Sequence, residues 1–352
     1  MRIRTSLNIL PLLVGTLIAS NAPAGSLDPL LEDTIADMAP GDVVDVIIRC
    51  VDPLDPGSVP ADELVPALQN KAAACETSLT NVLENTAEEP PVTLWIINGI
   101  AASVPVAELN GLVHRAGVDI VYLNEQVSLP PTPELQGVPG DPPLTYWNLD
   151  EIRAPDLWAL GYYGTGAVVA TMDTGVDANH ADLGPQWRGG ANSWYDPNDE
   201  HDTPFDADGH GTQAMGLIVG GNAGGFDMGV APDARWIAVK IFNDEGNSDL
   251  GKIHQGFQWL LDPDGNPSTD DAPHVVNNSW VLDGSQNECL GEFAADIGAL
   301  RAAGIGVVFS AGNTGAADAT SMEPANDPAA LSVGAIDNAS RVTGFSSRGP
   351  SA

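Results

Sequence analysis

The chain has 352 residues, of which 43% are hydrophobic and 17% are charged. This composition is typical of a soluble globular protein, and the length leaves room for about two domains. The 13 basic and 48 acidic residues give a formal net charge of −35. Such an acidic chain is poorly suited to bind nucleic acid or an anionic membrane surface, so we expect neither as a partner.

The first 24 residues have the pattern of an export signal. Arg2 and Arg4 form a positive start, residues 7–19 are apolar, and Ala-Pro-Ala at 22–24 offers a small-residue cleavage site. The apolar run is shorter than the ~20 residues that a membrane-spanning helix needs, although an N-terminal anchor is the alternative. We therefore predict cleavage after residue 24, which would release the mature protein from the membrane for secretion.

Residues 25–128 show the element order of a small α+β domain. Asn-Gly at 98–99 is a strong signal for a tight hairpin between two of its strands. A βαββαβ order predicts an antiparallel sheet with both helices on one face. The expected strands lie at 43–48, 92–97, 100–104 and 118–123, and the expected helices at 64–83 and 106–115.

Three cysteines cannot all pair within one chain. Cys50 and Cys75 lie in the same N-terminal region and can form a disulfide in an oxidising compartment. Such a bridge would leave Cys289 outside it. The cysteines and histidines do not have the spacing of a zinc site, so we expect no metal ligands in the catalytic chemistry.

A proline-rich run follows, and residues 129–143 are predicted to form an exposed linker. Residues 144–352 then alternate apolar runs with helical stretches. Nearly continuous apolar runs are typical of parallel strands covered on both faces, so an α/β layered domain is predicted, with its site at the carboxyl ends of the strands. Strands are expected at 167–172, 236–242, 275–279, 306–310 and 331–336.

Three polar residues stand at strand ends or at the start of a helix. Asp173 directly follows the first of these strands, where its carboxylate can orient an imidazole. His210 lies between glycines before a helix expected at 213–219, and Asn313 lies on a glycine-rich turn, where an amide can donate to an oxyanion. Each has a simpler alternative: a turn aspartate, a surface histidine, and an asparagine in left-handed backbone.

Taken together, the order Asp, His, Asn resembles the subtilisin-like serine proteases, or subtilases, over residues 147–350. Within that family, Ile-Ala-Val-Lys at 237–240 and Asn-Asn-Ser-Trp at 277–280 most resemble the bacillopeptidase F branch. The other motifs that carry the resemblance are Asp-Thr-Gly at 173–175, His-Gly-Thr at 210–212, Ser-Ala-Gly-Asn at 310–313 and Gly-Phe-Ser-Ser-Arg-Gly-Pro at 344–350.

The resemblance implies a subtilisin-like fold with a mostly parallel sheet, and a serine endopeptidase that hydrolyses proteins or peptides. In that chemistry His210 accepts the proton of the nucleophile, and Asp173 orients the ring and stabilises the imidazolium. Asn313 stabilises the tetrahedral oxyanion. The residues implied to pair with the substrate backbone, as an added strand, are Ser279, Trp280 and Val281.

Residues 25–128 are similar to the inhibitory propeptide of this family, with Ile-Ile-Asn-Gly-Ile at 96–100 as the matching stretch. The resemblance implies that this domain helps the catalytic domain to fold and blocks its cleft. A cut in the linker would then release it, as exposed linkers are common sites of proteolysis. The chain is thus expected to carry its own intramolecular inhibitor.

The nucleophile of the family lies in a Gly-Thr-Ser-Met-Ala motif, which does not occur here. Ala-Thr-Ser-Met at 319–322 comes before the segment that the family's serine follows, and Pro324 and Pro328 forbid the helix that should come next. We therefore do not expect Ser321 to be the nucleophile. Truncation before the serine, leaving an inactive chain, is the expectation; a natural pseudoprotease that binds without catalysis is the alternative.

No cofactor is required for this chemistry, but a structural calcium ion is a further hypothesis. Calcium prefers several oxygen ligands, and subtilases often use it for stability. A solvated acidic loop is the alternative. The carboxylates concerned are Asp182, Asp196, Asp199, Asp202, Asp206 and Asp208.

Overall fold

A computed structural model describes residues 25–87, 89–130, 147–225 and 227–351. The expected export signal at 1–24 and residues 131–143 of the expected linker lie outside the described residues. Within the described ranges, none of the helices combines the length and the hydrophobicity needed to span a bilayer.

The N-terminal region, residues 25–128, contains a five-stranded sheet in the order β1-β5-β2-β4-β3. The first strand pairs in parallel with β5, and the other neighbours are antiparallel. The elements that build the sheet and its helices are β1 (Ser26–Leu27), α1 (Pro29–Ile35), β2 (Val43–Cys50), α2 (Leu64–Thr86), β3 (Val92–Leu94), β4 (Gly99–Pro105), α3 (Val106–Val113) and β5 (Val118–Leu123).

One expected strand of this region is shorter than predicted. Strand β3 ends at Leu94, and Trp95–Ile97 forms a 3₁₀ turn that leads into Asn98, whose φ of 54° is left-handed. Asparagine tolerates this conformation better than most residues. The turn places Ile96 and Ile97 in a buried apolar cluster. This burial explains why an apolar run whose pattern predicts a strand forms a turn.

The disulfide that the sequence allowed is present. Cys50 at the end of β2 is bonded to Cys75 in α2, with 25 residues of separation along the chain. Closing a loop of this length restricts the unfolded chain and stabilises a fold by about 3 kcal/mol. The bridge therefore fixes α2 onto the face of the sheet that it covers.

A six-stranded sheet forms the centre of the second region. Its order is β13-β12-β11-β7-β9-β8, and every neighbouring pair is parallel. The elements after β5 are β6 (Gln126–Ser128), α4 (Trp147–Glu151), α5 (Ala154–Ala159), β7 (Val168–Asp173), β8 (Trp194–Tyr195), α6 (His210–Val219), β9 (Arg235–Lys240), β10 (Asn247–Asp249), α7 (Leu250–Leu261), β11 (Val275–Asn278), α8 (Ala294–Ala302), β12 (Gly306–Ser310) and β13 (Leu331–Val333).

Helices cover both faces of this sheet, as the apolar strands predicted. Along β9, Trp236 and Ala238 pack on the side of α6, whereas Ile237 and Val239 pack on the side of α7 and α8. Successive residues of a strand point to opposite faces, so a strand that is buried on both must be apolar throughout. The predicted α/β layered fold with a mostly parallel sheet is confirmed.

The N-terminal region packs against α7 and α8 through one continuous apolar core. The 3₁₀ turn at Trp95–Ile97 and strand β3 contact α7, and the turn at Pro56–Ser58 contacts α8. Apolar burial of this kind contributes roughly 25 cal/mol per Å² of area removed from water. The N-terminal members of this cluster include Ile47, Leu64, Leu68, Leu94, Ile96 and Ile97, and those of α7 include Ile253, Phe257 and Leu260.

A buried charge network crosses the same boundary. His254 of α7 is fully buried, with Nδ1 3.0 Å from both carboxylate oxygens of Asp296 and Nε2 2.9 Å from Oε1 of Glu292. From the N-terminal sheet, the hydroxyl of Tyr122 donates to Glu292 (2.8 Å) and the guanidinium of Arg49 lies 3.5 Å from it. Burial disfavours the imidazolium, but the two carboxylates raise the pKa of His254 to about 9.

Candidate active site

The polar residues singled out in the sequence lie at the carboxyl edge of the parallel sheet. Asp173 is the last residue of β7, and β11, which pairs with it, ends at Asn278 beside Met172. Asn313 follows the end of β12, the next strand along. Because parallel strands end at a common edge, three separate stretches of sequence reach one side of the molecule.

Asp173 and His210 are joined by a hydrogen bond. Nδ1 of His210 lies 2.7 Å from Oδ1 of Asp173, and that oxygen also accepts the N–H of Thr174 at 2.7 Å. The aspartate side chain is 1% exposed and that of the histidine 24%. The pair therefore combines a buried carboxylate with an imidazole that a substrate can reach.

The hydrogen bond to Asp173 raises the pKa of His210, although burial of the ring opposes this. The negative charges of Asp173, Asp208 and Asp206 raise it further. A raised pKa means that the ring holds a proton more firmly once it has accepted one. Such a property suits a general base, which becomes an imidazolium when it accepts a proton.

Close backbone approaches explain the glycines of both motifs. A Cβ on Gly175, whose φ is 114°, would lie 1.9 Å from the carbonyl oxygen of Phe205. A Cβ on Gly211 would lie 2.1 Å from the carbonyl oxygen of Gly175. Only glycine fits at these two positions, and their contact brings the start of α6 against the end of β7.

Asp206 stabilises the contact between the end of β7 and the start of α6, a role that the sequence did not predict. Its carboxylate accepts hydrogen bonds from the hydroxyl of Thr174 (2.9 Å), the N–H of Gly209 (2.8 Å), and both the N–H and the hydroxyl of Thr212 (2.9 and 2.5 Å). Asp206 thus ties the strand-end turn to the first turn of α6. An aspartate a few residues before a helix is a known turn-forming position, and that was the available signal.

A short strand between β9 and α7 pairs with part of the N-terminal region. Strand β10 pairs antiparallel with β6, with Ser248 opposite Val127. The N–H of Leu129 donates to the carbonyl of Gly246 at 2.9 Å and extends the pairing. Sequence reasoning missed β10, because three polar residues before a helix carry no strand pattern.

Residues of the N-terminal region also complete the start of α7. The first N–H, at Leu250, donates to the carbonyl of Glu125 (3.1 Å), and the next, at Gly251, to Oδ1 of Asn124 (2.8 Å). The third donates to Oδ1 of Asp249, the N-cap residue (2.9 Å). The first turn of a helix lacks partners of its own, so two of its donors here depend on the N-terminal region.

The expected substrate-binding residues lie just past the end of β11. Among the described residues, the backbone N–H and C=O groups of 279–281 form no hydrogen bonds. The side chain of Trp280 is fully buried, with its ring near those of Phe257, Phe293 and Phe309, and Val281 is also buried. Their side chains thus belong to the core, whereas their backbone leaves an edge unpaired.

Asn313 is exposed on a turn between Gly312 and Gly315, whose φ angles of 103° and 106° are left-handed. Ser321 is 8% exposed, and its Oγ lies 3.3 Å from Oγ of Ser351. Within the described part of the chain, the ring of His210 has Asp173 as its hydrogen-bond partner. The structure therefore brings together Asp173 and His210, and does not join Ser321 to them.

The acidic residues considered for calcium do not converge. No three of these six carboxylates, all described, form one of the groups whose oxygens lie within 4.8 Å of one another. Asp196 instead accepts the backbone N–H groups of residues 198, 200 and 201, and Asp182 that of Ala223. These carboxylates organise turns by accepting backbone hydrogen bonds.

Comparison with known proteins agrees with this geometry. The profile of the Subtilase family matches residues 164–352. Bacillopeptidase F of Bacillus subtilis (strain 168) is 37% identical over 286 residues, which cover 73% of this chain and 19% of that protein. Subtilisin of Bacillus pumilus is 31% identical over 208 residues, or 58% of this chain and 68% of that protein.

A parallel sheet with an Asp–His pair at its carboxyl edge, in a stretch that matches the family profile, defines the class. The chain belongs to the subtilase family. Its similarity to bacillopeptidase F confirms the branch that the motifs indicated. The chain spans about a fifth of the length of that relative.

Replacing Asp173 with Asn tests the electrostatics of the pair. The substitution removes the carboxylate that favours the imidazolium, so the pKa of His210 is expected to fall. Titration of the His210 ring by NMR measures this directly. Asp208→Asn is the matched control, because Asp208 is exposed, contributes charge without bonding to the ring, and its replacement keeps an acceptor for the N–H of His210. An equal fall in both variants, or in neither, would contradict the assignment.

Proposed function

We propose that this chain is the precursor of a secreted serine endopeptidase. Asp173 and His210 would act as two members of an Asp-His-Ser catalytic triad, in which Ser321 is not proposed as the nucleophile. The observation that carries the proposal is the 2.7 Å hydrogen bond between a buried carboxylate and an accessible imidazole. Export is inferred from the pattern of the first 24 residues alone.

The proposed reaction is acyl transfer. Nε2 of His210 takes the proton of the serine hydroxyl as its oxygen attacks the substrate carbonyl, and then returns that proton to the leaving amine. A water molecule later hydrolyses the acyl-enzyme by the same route. Asp173 holds the ring in the tautomer that leaves Nε2 free to accept, and Asn313 donates to the oxyanion. Loss of the Asp173 carboxylate is expected to cost about 10⁴-fold in kcat.

Protein or peptide substrates would bind as an extended strand. Two backbone edges favour this mode: β10, which pairs with β6, and residues 279–281, which are unpaired among the described residues. A strand added to an exposed edge gains affinity from its main chain and specificity from alternate side chains. Since β6 occupies one of these edges, the N-terminal region would act as an intramolecular inhibitor until a linker cut releases it.

A fluorophosphonate probe, which labels activated serines, tests the triad. We expect the 352-residue chain to remain unlabelled, because His210 has no positioned hydroxyl to activate, and loss of the serine alone costs about 10⁶-fold in kcat in such enzymes. The complete reading frame that encodes the chain, expressed from start to stop codon, is expected to be labelled. His210→Ala should abolish that labelling.

Two outcomes of this experiment would count against the proposal. Labelling of residues 1–352 that is lost in Ser321→Ala would make Ser321 the nucleophile. An unlabelled protein from the complete reading frame, shown to be folded, would favour a binding protein with a protease-like fold.

If the N-terminal region is an inhibitor, residues 25–130 added as a separate polypeptide should inhibit peptide hydrolysis by the active enzyme. Asn124→Ala in that polypeptide removes the acceptor for the N–H of Gly251 and the donor to Asp249. Two lost hydrogen bonds of about 1 kcal/mol each are expected to weaken inhibition by roughly 10- to 30-fold.

Asn110→Ala is the matched control, since Asn110 is exposed on α3 and its side chain makes no hydrogen bond to the described residues. It should leave inhibition unchanged. If the folded wild-type polypeptide, verified by circular dichroism, fails to inhibit, the region does not block the cleft.

A further inference from the structure

A gap opens between the continuations of two neighbouring strands at the carboxyl edge of the parallel sheet. Strands β11 and β12 pair as far as Asn278 opposite Phe309. Beyond this pair, the backbone of residues 279–281 forms no hydrogen bonds among the described residues, and the N–H of Ala311 donates to a carbonyl of β13. Residues 279–281 and 311–313 therefore form the two sides of a gap that no backbone hydrogen bond of the described chain closes.

The segment around Met322 is attached to the first side of the gap. The carbonyl of Glu323 accepts the N–H of Leu282 at 2.8 Å. The carbonyl of Ser321 accepts the N–H of Asn287, also at 2.8 Å. Since Leu282 directly follows the unpaired stretch along the chain, Met322 stands between two residues whose carbonyls bind the continuation of β11.

The same segment is attached to the second side of the gap. The hydroxyl of Thr314 donates to the carbonyl of Thr320 at 2.9 Å. A Cβ added to Gly312 would lie 3.1 Å from Sδ and 3.2 Å from Cγ of Met322, so the thioether packs directly on the residue before Asn313. Met322 is 4% exposed. Its side chain therefore occupies the space beside the turn that carries Asn313.

The charged residue next to Met322 in the sequence is engaged in another contact. Glu323 is buried, and its carboxylate accepts the N–H of Gly291 at 2.9 Å. On the other side of Met322, the hydroxyl oxygen of Ser321 lies 3.3 Å from that of Ser351. The space is thus filled by an apolar, unbranched side chain, and its two neighbours leave no unpaired charge for a basic or acidic ligand.

The position of a substrate follows from the proposed function, on which this inference rests. A peptide that pairs with residues 279–281 as an added strand, and whose carbonyl oxygen reaches Asn313, crosses the gap at the residue that is attacked. This residue of the substrate is termed the acyl residue. Its backbone touches both sides of the gap, which leaves its side chain directed between them, toward Met322.

We propose that Met322 is a specificity-determining residue, which restricts the acyl residue of the substrate to small side chains such as those of alanine and serine. A phenylalanine or leucine side chain would have to displace the buried thioether, and forcing extra volume into a packed site costs free energy. A charged side chain would in addition lose water without gaining a counter-charge from the neighbours of Met322. The cost is present in the transition state, so it lowers kcat/KM for large acyl residues.

Hydrolysis of matched peptides by the enzyme from the complete reading frame tests this preference. Four-residue p-nitroanilides that differ only in the acyl residue, which is alanine, phenylalanine or lysine, provide the comparison. We expect kcat/KM for alanine to exceed that for either of the others by about tenfold or more. An equal or higher kcat/KM for phenylalanine or lysine would overturn the proposal, and this measurement requires no variant.

The variant Met322→Ala assigns the preference to this side chain. Removal of the thioether should leave room for a larger acyl side chain and raise the phenylalanine-to-alanine ratio of kcat/KM by about tenfold or more. Met322→Leu keeps a side chain of similar volume and should keep the wild-type ratio. An unchanged ratio in a folded Met322→Ala enzyme would contradict the assignment.

Met228→Ala is the matched control, because it removes the same atoms at a position that packs against Gly216 and Gly220 of α6. A merely structural effect lowers the activity toward all substrates by the same factor, so Met228→Ala should leave the ratio unchanged. A change in the ratio as large as that of Met322→Ala would show that a general loosening of the enzyme sets the preference.

Labelling by the fluorophosphonate probe separates failure of this role from failure of the proposed function. An enzyme from the complete reading frame that is neither labelled nor active would overturn the proposed function, and Met322 would then have no substrate to select. A labelled, active enzyme whose ratio does not respond to Met322→Ala would overturn the role of Met322 alone. If that variant fails to fold, the preference of the wild-type enzyme decides.

Discussion

The docking of the N-terminal sheet onto α7 and α8 is the interaction that joins the two regions of the chain. Its apolar part is continuous with the core beneath the parallel sheet, so the two regions share one buried cluster. Its polar part ends in β6, which pairs with the edge of β10. If a peptide substrate used the same edge, as proposed, it would have to displace β6. It would also displace Asn124 and Glu125, which accept hydrogen bonds from the first turn of α7.

Buried charge makes this docking sensitive to pH. The pKa of His254, about 9, is raised above its ordinary value of 6.5 because Asp296 and Glu292 favour the imidazolium. A group whose pKa is raised by folding stabilises the fold below its unfolded pKa, and that contribution is lost as the pH rises through the folded value. Since Glu292 also binds Arg49 and Tyr122, alkaline pH is expected to weaken the network that joins the two regions.

The sequence was most informative where chemistry and backbone geometry require particular residues together. In Asp-Thr-Gly and His-Gly-Thr two backbones almost touch, so only glycine fits there, and the same contact brings Asp173 to His210. The apolar strands were predictable because burial on both faces leaves no choice of side chain. Each of these constraints restricts the residue type at its own position, so it remains visible in a single sequence.

What the sequence did not show depends on contacts between distant segments. The apolar sequence at Trp95–Ile97 predicts a strand, but these residues form a 3₁₀ turn that packs against α7. Strand β10 has no pattern of its own and exists as a strand through its pairing with β6. Among the acidic residues at 196–208, Asp196, Asp206 and Asp208 accept backbone hydrogen bonds in turns, whereas Asp262 and Asp271, nine positions apart, meet in space. Spacing along the chain does not reveal which carboxylates meet.

Hydrogen exchange at the amides of Leu129 and Leu250 tests the docking most directly, because their acceptors lie across the boundary. Both amides should exchange slowly in the intact chain. Val127→Asp, which places a charge in the apolar cluster beneath β6, should accelerate both together by at least tenfold and spare the amides of β7 and β9. Val43→Asp, at an exposed strand position, is the control and should change neither. Rapid exchange of Leu250 in the intact chain, or no response to Val127→Asp, would contradict the docked arrangement.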